Sequence, residues 1–243
     1  MPATLPVMLF GSIRLYVDEP LAAGTMIEAT AAQAHYLGTV MRRGIGDAVR
    51  LFNGRNGEFV AQIEAIRRDR VTLLVGHNLR PQGSEPDLWL VFALLKRDAT
   101  DLVVQKATEL GVAALLPVIT ERTNAHRVNE ARLGAIAFEA SEQCERLTVP
   151  RLHTPRPLTK LLGDWEPGRQ LFVAAERSVA PALVPAHGPA ALLVGPEGGF
   201  TPAELEAMRI HPFVTVVSLG PRILRAETAC IAGLALLQAG NCG

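Results

Sequence analysis

Apolar positions recur along the chain in two different rhythms, and the change falls near residue 80. Up to Arg80 the apolar and β-branched residues come in short runs, Ile13 to Val17, Ala48 to Asn53, Glu58 to Ile66 and Val71 to Val75, and each predicts a strand. Turn-forming stretches separate them, at Gly44 to Asp47 and at Asn53-Gly54-Arg55-Asn56-Gly57, where Asn-Gly marks a tight hairpin. One helix interrupts, from Ala31 to about Arg42, with Thr30 as its cap. Residues 1–80 therefore read as a small β-barrel-like domain. Arg80-Pro81-Gln82-Gly83-Ser84-Glu85-Pro86 is polar, with two prolines and a glycine, and reads as a linker.

Beyond the linker, over residues 81–243, strand and helix alternate. Leu88 to Leu95 is a nearly continuous apolar run, followed by a helix from Ala99 to Leu110 that Gly111 stops and a strand near Leu115 to Ile119. Such runs suit strands covered on both faces, hence a parallel sheet and an α/β domain. A long helix is predicted from about Glu130 to Arg146, and further strands at Leu171 to Ala175, Ala191 to Val194 and Val214 to Leu219. After Phe200, Thr201 caps a helix, Pro202 sits in its first turn and Glu204 completes a capping box. The last helix is apolar nearly all round from Thr228 to Ala239, which demands burial on several sides, in the chain's own core or against a second copy. There is no internal repeat.

Composition narrows the function classes. With 243 residues, 49% of them apolar, the chain can bury a large core in one domain or two unequal ones. Lys+Arg and Asp+Glu balance at 24 each, so affinity for a polyanion must come from local patches. Only Lys96, Lys106 and Lys160 are lysines; arginine forks suit phosphates and base edges, although a bias in genomic base composition gives the same count. Cys144, Cys230 and Cys242 form no CxxC pair and lie far from any histidine that could join them as a ligand, which argues against a bound metal and a disulfide framework and for the cytosol. Met1 to Phe10 carries no basic flank and includes Pro2 and Pro6, unlike a signal peptide. The stretch Thr228 to Ala239 falls short of the roughly 20 residues that span a bilayer.

Two segments carry chemistry. In Leu192-Leu193-Val194-Gly195-Pro196-Glu197-Gly198-Gly199-Phe200 a buried strand breaks into a glycine-rich loop that re-enters a capped helix. Ligands of open α/β sheets bind at such strand ends, where glycine lets a ligand approach the backbone. The loop lacks GxGxxG and GK[ST], and Glu197 at its centre repels phosphate. In Ser218-Leu219-Gly220-Pro221-Arg222-Ile223-Leu224-Arg225-Ala226-Glu227-Thr228-Ala229 a second strand end passes through a Gly-Pro turn into the last helix, with Glu227 in its first turn.

GPEGGF, followed about twenty residues later by LGPRILRAETA, resembles the paired C-terminal motifs of the SPOUT methyltransferase superfamily, and specifically the RsmE family of 16S ribosomal RNA uridine N3-methyltransferases. Lys96-Arg97, Gln105 to Val112 and Glu142-Gln143-Cys144-Glu145-Arg146 are similar to further family segments, and HYLGTVMRRGIGDAVRLFNG resembles the family's PUA-like RNA-binding domain. The resemblance covers the chain from about Ile13; Met1 to Ser12 is longer than the family's usual opening. It implies a trefoil-knotted α/β domain, S-adenosylmethionine bound in the knot, a homodimer, and 16S ribosomal RNA or the small subunit as partner.

The resemblance places the cofactor against Gly195, Glu197, Gly198 and Gly199 and against Leu219, Gly220, Ile223, Leu224, Thr228 and Ala229. Arg225 then stabilises the uracil anion, with Glu227 as general base, as an orienting group or simply as a helix-start acid. Arg42 and Arg43, beside the Gly44 to Gly46 turn, and Lys96, Arg97 and Arg146 are the candidate RNA contacts; Arg146 is equally an ordinary helix-end cation. His35 and His126 are conceivable bases, His35 being the more easily explained as structural. Another SPOUT activity on a different base or on a ribose 2′-hydroxyl, and a silent RNA-binding module, are the alternatives. Two intact ligand loops speak against the silent module.

Overall fold

The computed structural model describes residues 13–67, 70–124, 127–175 and 180–239. Contacts divide the chain into two units: one runs to Ser84 and adds Ser141–Thr148, the other takes Glu85–Ala140 and everything from Val149 onward.

The first unit is a five-stranded sheet of β1 (Arg14–Tyr16), β2 (Met26–Glu28), β3 (Ala48–Phe52), β4 (Glu58–Arg67) and β5 (Arg70–Arg80), in the order β1-β3-β4-β5-β2. Only β1 and β3 run parallel. Alternation along the strands buries Val49, Leu51, Ala61, Ile63, Val71, Leu73 and Val75 in one core, and each buried Val, Leu or Ile stabilises the fold by roughly 1.5–3 kcal/mol. The β3–β4 connection turns at Asn53, whose Oδ1 accepts from the N–H groups of Arg55 and Asn56. It ends at Gly57, where φ is +87° and a Cβ would lie 2.2 Å from the Arg80 carbonyl oxygen.

Helix α1 (Ala31–His35) starts in a complete capping box between Thr30 and Gln33. The expected helix to Arg42 is only partly there. From Tyr36 to Val40 the chain widens into a π-helical turn, in which the Met41 N–H donates to the Tyr36 carbonyl, and Arg42 at φ 50° ends it. Gly38, Thr39 and Val40 are weak α-formers, while Leu37 stays fully buried and keeps the turn anchored.

Glu58 is the unit's polar centre. Its carboxylate, 2% exposed, accepts from Arg14 Nε at 2.5 Å and Arg80 Nε at 2.8 Å. The rest of the Arg14 guanidinium donates to the carbonyls of Ser141, Glu142 and Arg146, which is how the Ser141–Thr148 segment joins this unit. The same segment explains why the predicted helix to Arg146 stops early: α3 (Glu130–Gln143) gives way to Glu145 at φ 61°, and Arg146 turns inward, 8% exposed.

The second unit is a seven-stranded, all-parallel sheet of β6 (Leu88–Ala93), β7 (Ala114–Ile119), β8 (Arg151–Leu152), β9 (Arg156–Pro157), β10 (Gln170–Ala174), β11 (Ala190–Val194) and β12 (Val214–Val217). The order is β12-β10-β11-β6-β7-β8, and β9 also pairs with β7. Both faces are covered. Leu90, Phe92, Leu192 and Val194 pack on one side with α2 (Arg97–Glu109) and α6 (Ala226–Gln238). Val91, Leu116, Ala191 and Leu193 pack on the other with α4 (Leu158–Gly163), Trp165 and Met208 of α5 (Pro202–Arg209). Helix α6 lies close on β11 because residue 233 is glycine: a Cβ there would come within 2.6 Å of Leu192 Cδ2. Among the described residues, no helix is long and apolar enough to cross a membrane.

Candidate functional site

Strands β12, β10 and β11 are parallel neighbours, so their carboxyl ends open on one edge of the sheet. The loops that leave them, with the loop after β7, enclose a cavity of about 730 Å³, a size typical of sites for small ligands and cofactors. From β11 come Val194 to Phe200, from β12 Ser218 to Arg225, from β10 Ala174 and Ala175, from the β7 loop Arg122, and from α6 Ala226 and Ala229.

The local sequence accounts for the shape. The first loop turns tightly, with the Gly199 N–H donating to the Pro196 carbonyl at 2.8 Å and Gly199 at φ +67°. The second passes Gly220 at φ +119°, pinned by its N–H to Ser218 Oγ at 3.2 Å. These are left-handed backbones that residues with a Cβ rarely adopt. Gly195 admits the Phe200 ring, which a Cβ would approach to 3.1 Å. Four glycines thus leave peptide groups open along the wall, while Leu219, Ile223, Leu224 and Ala229 supply apolar surface and Glu197, Arg122, Arg222 and Arg225 supply charge. Such a lining fits a ligand that combines a flat heterocycle with a charged, zwitterionic arm, which is the build of S-adenosylmethionine.

Of the expected cofactor residues, Gly195, Glu197, Gly198, Gly199, Leu219, Gly220, Ile223, Leu224 and Ala229 line this cavity, as does Arg225. Thr228 and Glu227 are not in the lining; Thr228 is exposed and Glu227 half-buried in the first turn of α6. Cys230, the neighbour of Ala229, is 1% exposed, and burial, aided by the charge of Glu227, pushes its thiol far up, so it stays protonated and inert.

Sequence reasoning missed Arg122. Its Nη1 donates to the Gly198 carbonyl at 2.8 Å and ties the β7 loop to the glycine-rich loop. It also missed the second role of Glu204: while one carboxylate oxygen completes the capping box on the Thr201 N–H, the other accepts from the Glu121 N–H at 2.9 Å. The only cue in the sequence was the Thr120 to Thr123 spacing of a turn, in which Thr123 Oγ1 accepts from the Thr120 N–H. Phe200, Leu205, Ala174, Ala175 and Ser218 complete the lining.

The basic candidates fall in both units. Arg42 is exposed and Arg43 half-buried after the π-helical turn, and Arg146, in the same unit, donates from Nη2 to Thr148 Oγ1 at 2.9 Å. Lys96 and Arg97 are exposed at the start of α2 in the second unit. Lys96 lines a smaller cavity of about 410 Å³ with Leu94, Leu95, Asn124 and Glu197. His35 is exposed at the end of α1, and His126 lies outside the described residues, as does Cys242. Among the described residues no cluster of histidine, cysteine and carboxylate side chains could hold a metal ion.

Residues 83–238 match the model of an RNA methyltransferase domain, and residues 29–76 that of an RNA methyltransferase PUA domain. The chain is 34% identical to the ribosomal RNA small subunit methyltransferase E of Rickettsia conorii, over 93% of this chain and 94% of that one. Among solved structures it is similar to a ribosomal RNA small subunit methyltransferase E from Neisseria gonorrhoeae bound to S-adenosyl methionine, at 29% identity and a TM-score of 0.85, covering 94% of this chain and 97% of that one. A Legionella pneumophila protein in complex with the bound cofactor SAM is 32% identical with a TM-score of 0.84, over 94% and 98% of the two chains.

Proposed function

The chain belongs to the RsmE family of RNA methyltransferases, and we propose that it transfers the methyl group of S-adenosylmethionine to N3 of a uridine in the 16S ribosomal RNA of the small subunit. The observation that carries this reading is the cavity of about 730 Å³ walled by GPEGGF and LGPRILRAETA, both shaped by left-handed glycines. S-adenosylmethionine supplies an electrophilic methyl group on sulfur; the chain must hold the base in line with it and steady the negative charge on the ring.

Arg225 takes the second task. Its exposed guanidinium sits at the head of α6 within the cavity lining, a fixed cation beside the reacting centre. Glu227, outside the lining, takes the positioning role at the start of that helix. Residues 1–80 serve as the PUA-like RNA-binding domain and 81–243 as the catalytic domain, knotted through the two loops, with Arg42, Arg43, Lys96 and Arg97 as RNA contacts; Arg146, expected among them, is 8% exposed and is instead a structural cation of the first unit. The protein works in the cytoplasm as a homodimer. Supporting a dimer, Leu102 of α2 and Leu236 of α6, helices that share one core, stay 37% and 39% exposed.

Mapping modified nucleosides in 16S ribosomal RNA from a strain lacking this protein tests the proposal. One 3-methyluridine is lost and returns with the wild-type gene but not with Arg225→Ala. An unchanged set of modifications overturns it.

A further inference from the structure

The smaller cavity shares only Glu197 with the larger one, and its lining is chemically specific. Strand β6 pairs with β11, with Phe92 opposite Val194, so the loop that follows β6 emerges beside the glycine-rich loop. Buried Leu94 and Leu95 line it together with the exposed side chains of Lys96, Asn124 and Glu197. Glu197 also lines the cofactor cavity, so one side chain borders both spaces. At about 410 Å³ the space exceeds what one pyrimidine ring needs, and its mostly apolar lining suits the flat face of a base.

The hydrogen-bonding inventory of the three polar side chains selects which base. Lysine only donates, an ionised carboxylate only accepts, and the asparagine amide does either. The Watson–Crick edge of uracil presents two carbonyl acceptors with the N3–H donor between them. Lys96, Glu197 and Asn124 offer the complement: a donor for each carbonyl and an acceptor for N3–H. Cytosine and adenine place a lone pair at the corresponding ring nitrogen, which meets the carboxylate with repulsion.

We propose that this cavity receives the target uracil, that Lys96 and Asn124 hold its carbonyls, and that Glu197 accepts the N3 proton. The inference rests on the reading of the chain as a uridine methyltransferase and assigns its base pocket. The step balances within the site. The N3 proton passes to the Glu197 carboxylate and the N3 lone pair forms the N–CH3 bond. The CH3–S bond breaks with its electron pair left on sulfur, and the Glu197 carboxylic acid returns its proton to water. Because Glu197 borders both spaces, the uracil that gives up its N3 proton lies next to the cavity that holds the methyl donor.

The test uses the full chain with S-adenosylhomocysteine present, and uridine and cytidine monophosphate as probes, titrated by saturation-transfer NMR. Wild-type protein is expected to bind uridine monophosphate about tenfold or more above cytidine monophosphate, the size of one hydrogen bond to a charged group made or opposed. Glu197→Gln replaces the acceptor with a group that also donates, so it should abolish or invert that preference. Asn124→Ala should weaken uridine monophosphate about tenfold while calorimetry shows its S-adenosylmethionine affinity unchanged. Equal binding of the two nucleotides by wild type, binding of neither, or a preference unmoved by Glu197→Gln overturns the pocket assignment. Failure of the wild-type protein to bind S-adenosylmethionine at all is a separate result, and it strikes the methyltransferase reading instead.

Discussion

Replacing Arg14 should loosen the first unit more than any surface change, and the structure sets the size of the effect. The side chain is 2% exposed and spends its donors on four acceptors: the Glu58 carboxylate and the carbonyls of Ser141, Glu142 and Arg146. It also lies 4.2 Å from the centre of the Phe52 ring. Burial pulls the guanidinium pKa down from its ordinary value, and the hydrogen bond and charge of Glu58 work against that pull. In Arg14→Ala the three carbonyls lose their donor. Glu58, itself 2% exposed, keeps only Arg80, which is 40% exposed, and Arg50 at 3.8 Å. Breaking a buried pair from one side costs about 3–5 kcal/mol, and the loss of three further charge-assisted hydrogen bonds places this case in the upper half of that range. Arg14→Lys restores the charge but not the fork, so it should recover less than half of the loss. Hydrogen exchange read by mass spectrometry on peptides spanning 14–16 and 141–148 measures the change in opening free energy directly. A fall of under about 1 kcal/mol in Arg14→Ala, the size of an exposed ion pair, refutes the argument that this arginine ties the segment to the sheet.

Three further outcomes are expected. His153 is held below its ordinary pKa by burial first and then by the charges of Arg151 and Arg156, and its Nε2 is buried without a hydrogen-bond partner. The unfolded imidazole therefore binds its proton first: stability is intact above about pH 6.5 and falls as the pH drops below it, so urea midpoints between about pH 5 and 7 should flatten in His153→Gln. Gly198→Val places its Cβ 3.4 Å from Arg122 Cδ and the rest of the side chain in the cavity wall, so calorimetry should show S-adenosylmethionine affinity down by about tenfold or more; wild-type affinity refutes the site. Neutralising Arg42 and Arg43 together should weaken RNA binding and flatten the slope of log affinity against log salt by about 0.7 for each single-strand phosphate no longer neutralised, with cofactor affinity unchanged; an unaltered slope removes the first unit from RNA recognition.

The second unit was the more legible in sequence, for a physical reason. Strands covered on both faces must be apolar throughout, so β6, β7, β10 and β11 announce themselves, and the Thr201 capping box fixes the start of α5 to the residue. The cofactor loops were legible because close backbone approach needs glycine, and glycine is visible. What escaped detection was short or held by tertiary contacts. Strands β8 and β9 have two residues each, β2 has three, and α4 has six, too few to show a period. Strand β5 runs on past Val75 to Arg80 through Gly76, His77 and Asn78, where polar residues hide the alternation. Arg122 reaches its partner, the Gly198 carbonyl, across 76 residues of chain, and the local cue, the Thr120 to Thr123 turn, does not say where that side chain goes.

The arginine count shows how composition can mislead while still carrying information. Of 24 basic residues 21 are arginines, which invites a phosphate-binding reading, yet some of them never reach solvent. Arg169 is 2% exposed; it stacks 3.6 Å over the Trp89 ring, donates to the Asp87 carbonyl at 2.9 Å and its carboxylate at 2.7 Å, and to the Ala190 carbonyl at 3.3 Å. Asp87 precedes β6 and Ala190 begins β11, so this arginine joins the two strands at the ends away from the cavity. Arg14 does the corresponding work among Glu58 and three carbonyls. In both places a planar fork of five donors reaches acceptors spread around the side chain, which lysine's compact ammonium, with three donors on one atom, cannot span. The excess of arginine is thus partly a structural demand. Only the members that reach solvent, Arg42, Arg43, Arg97, Arg222 and Arg225 among them, can meet a polyanion. A salt slope for RNA binding should therefore reflect that exposed set and not the total, and Arg169→Lys should lower stability while leaving the slope where it was.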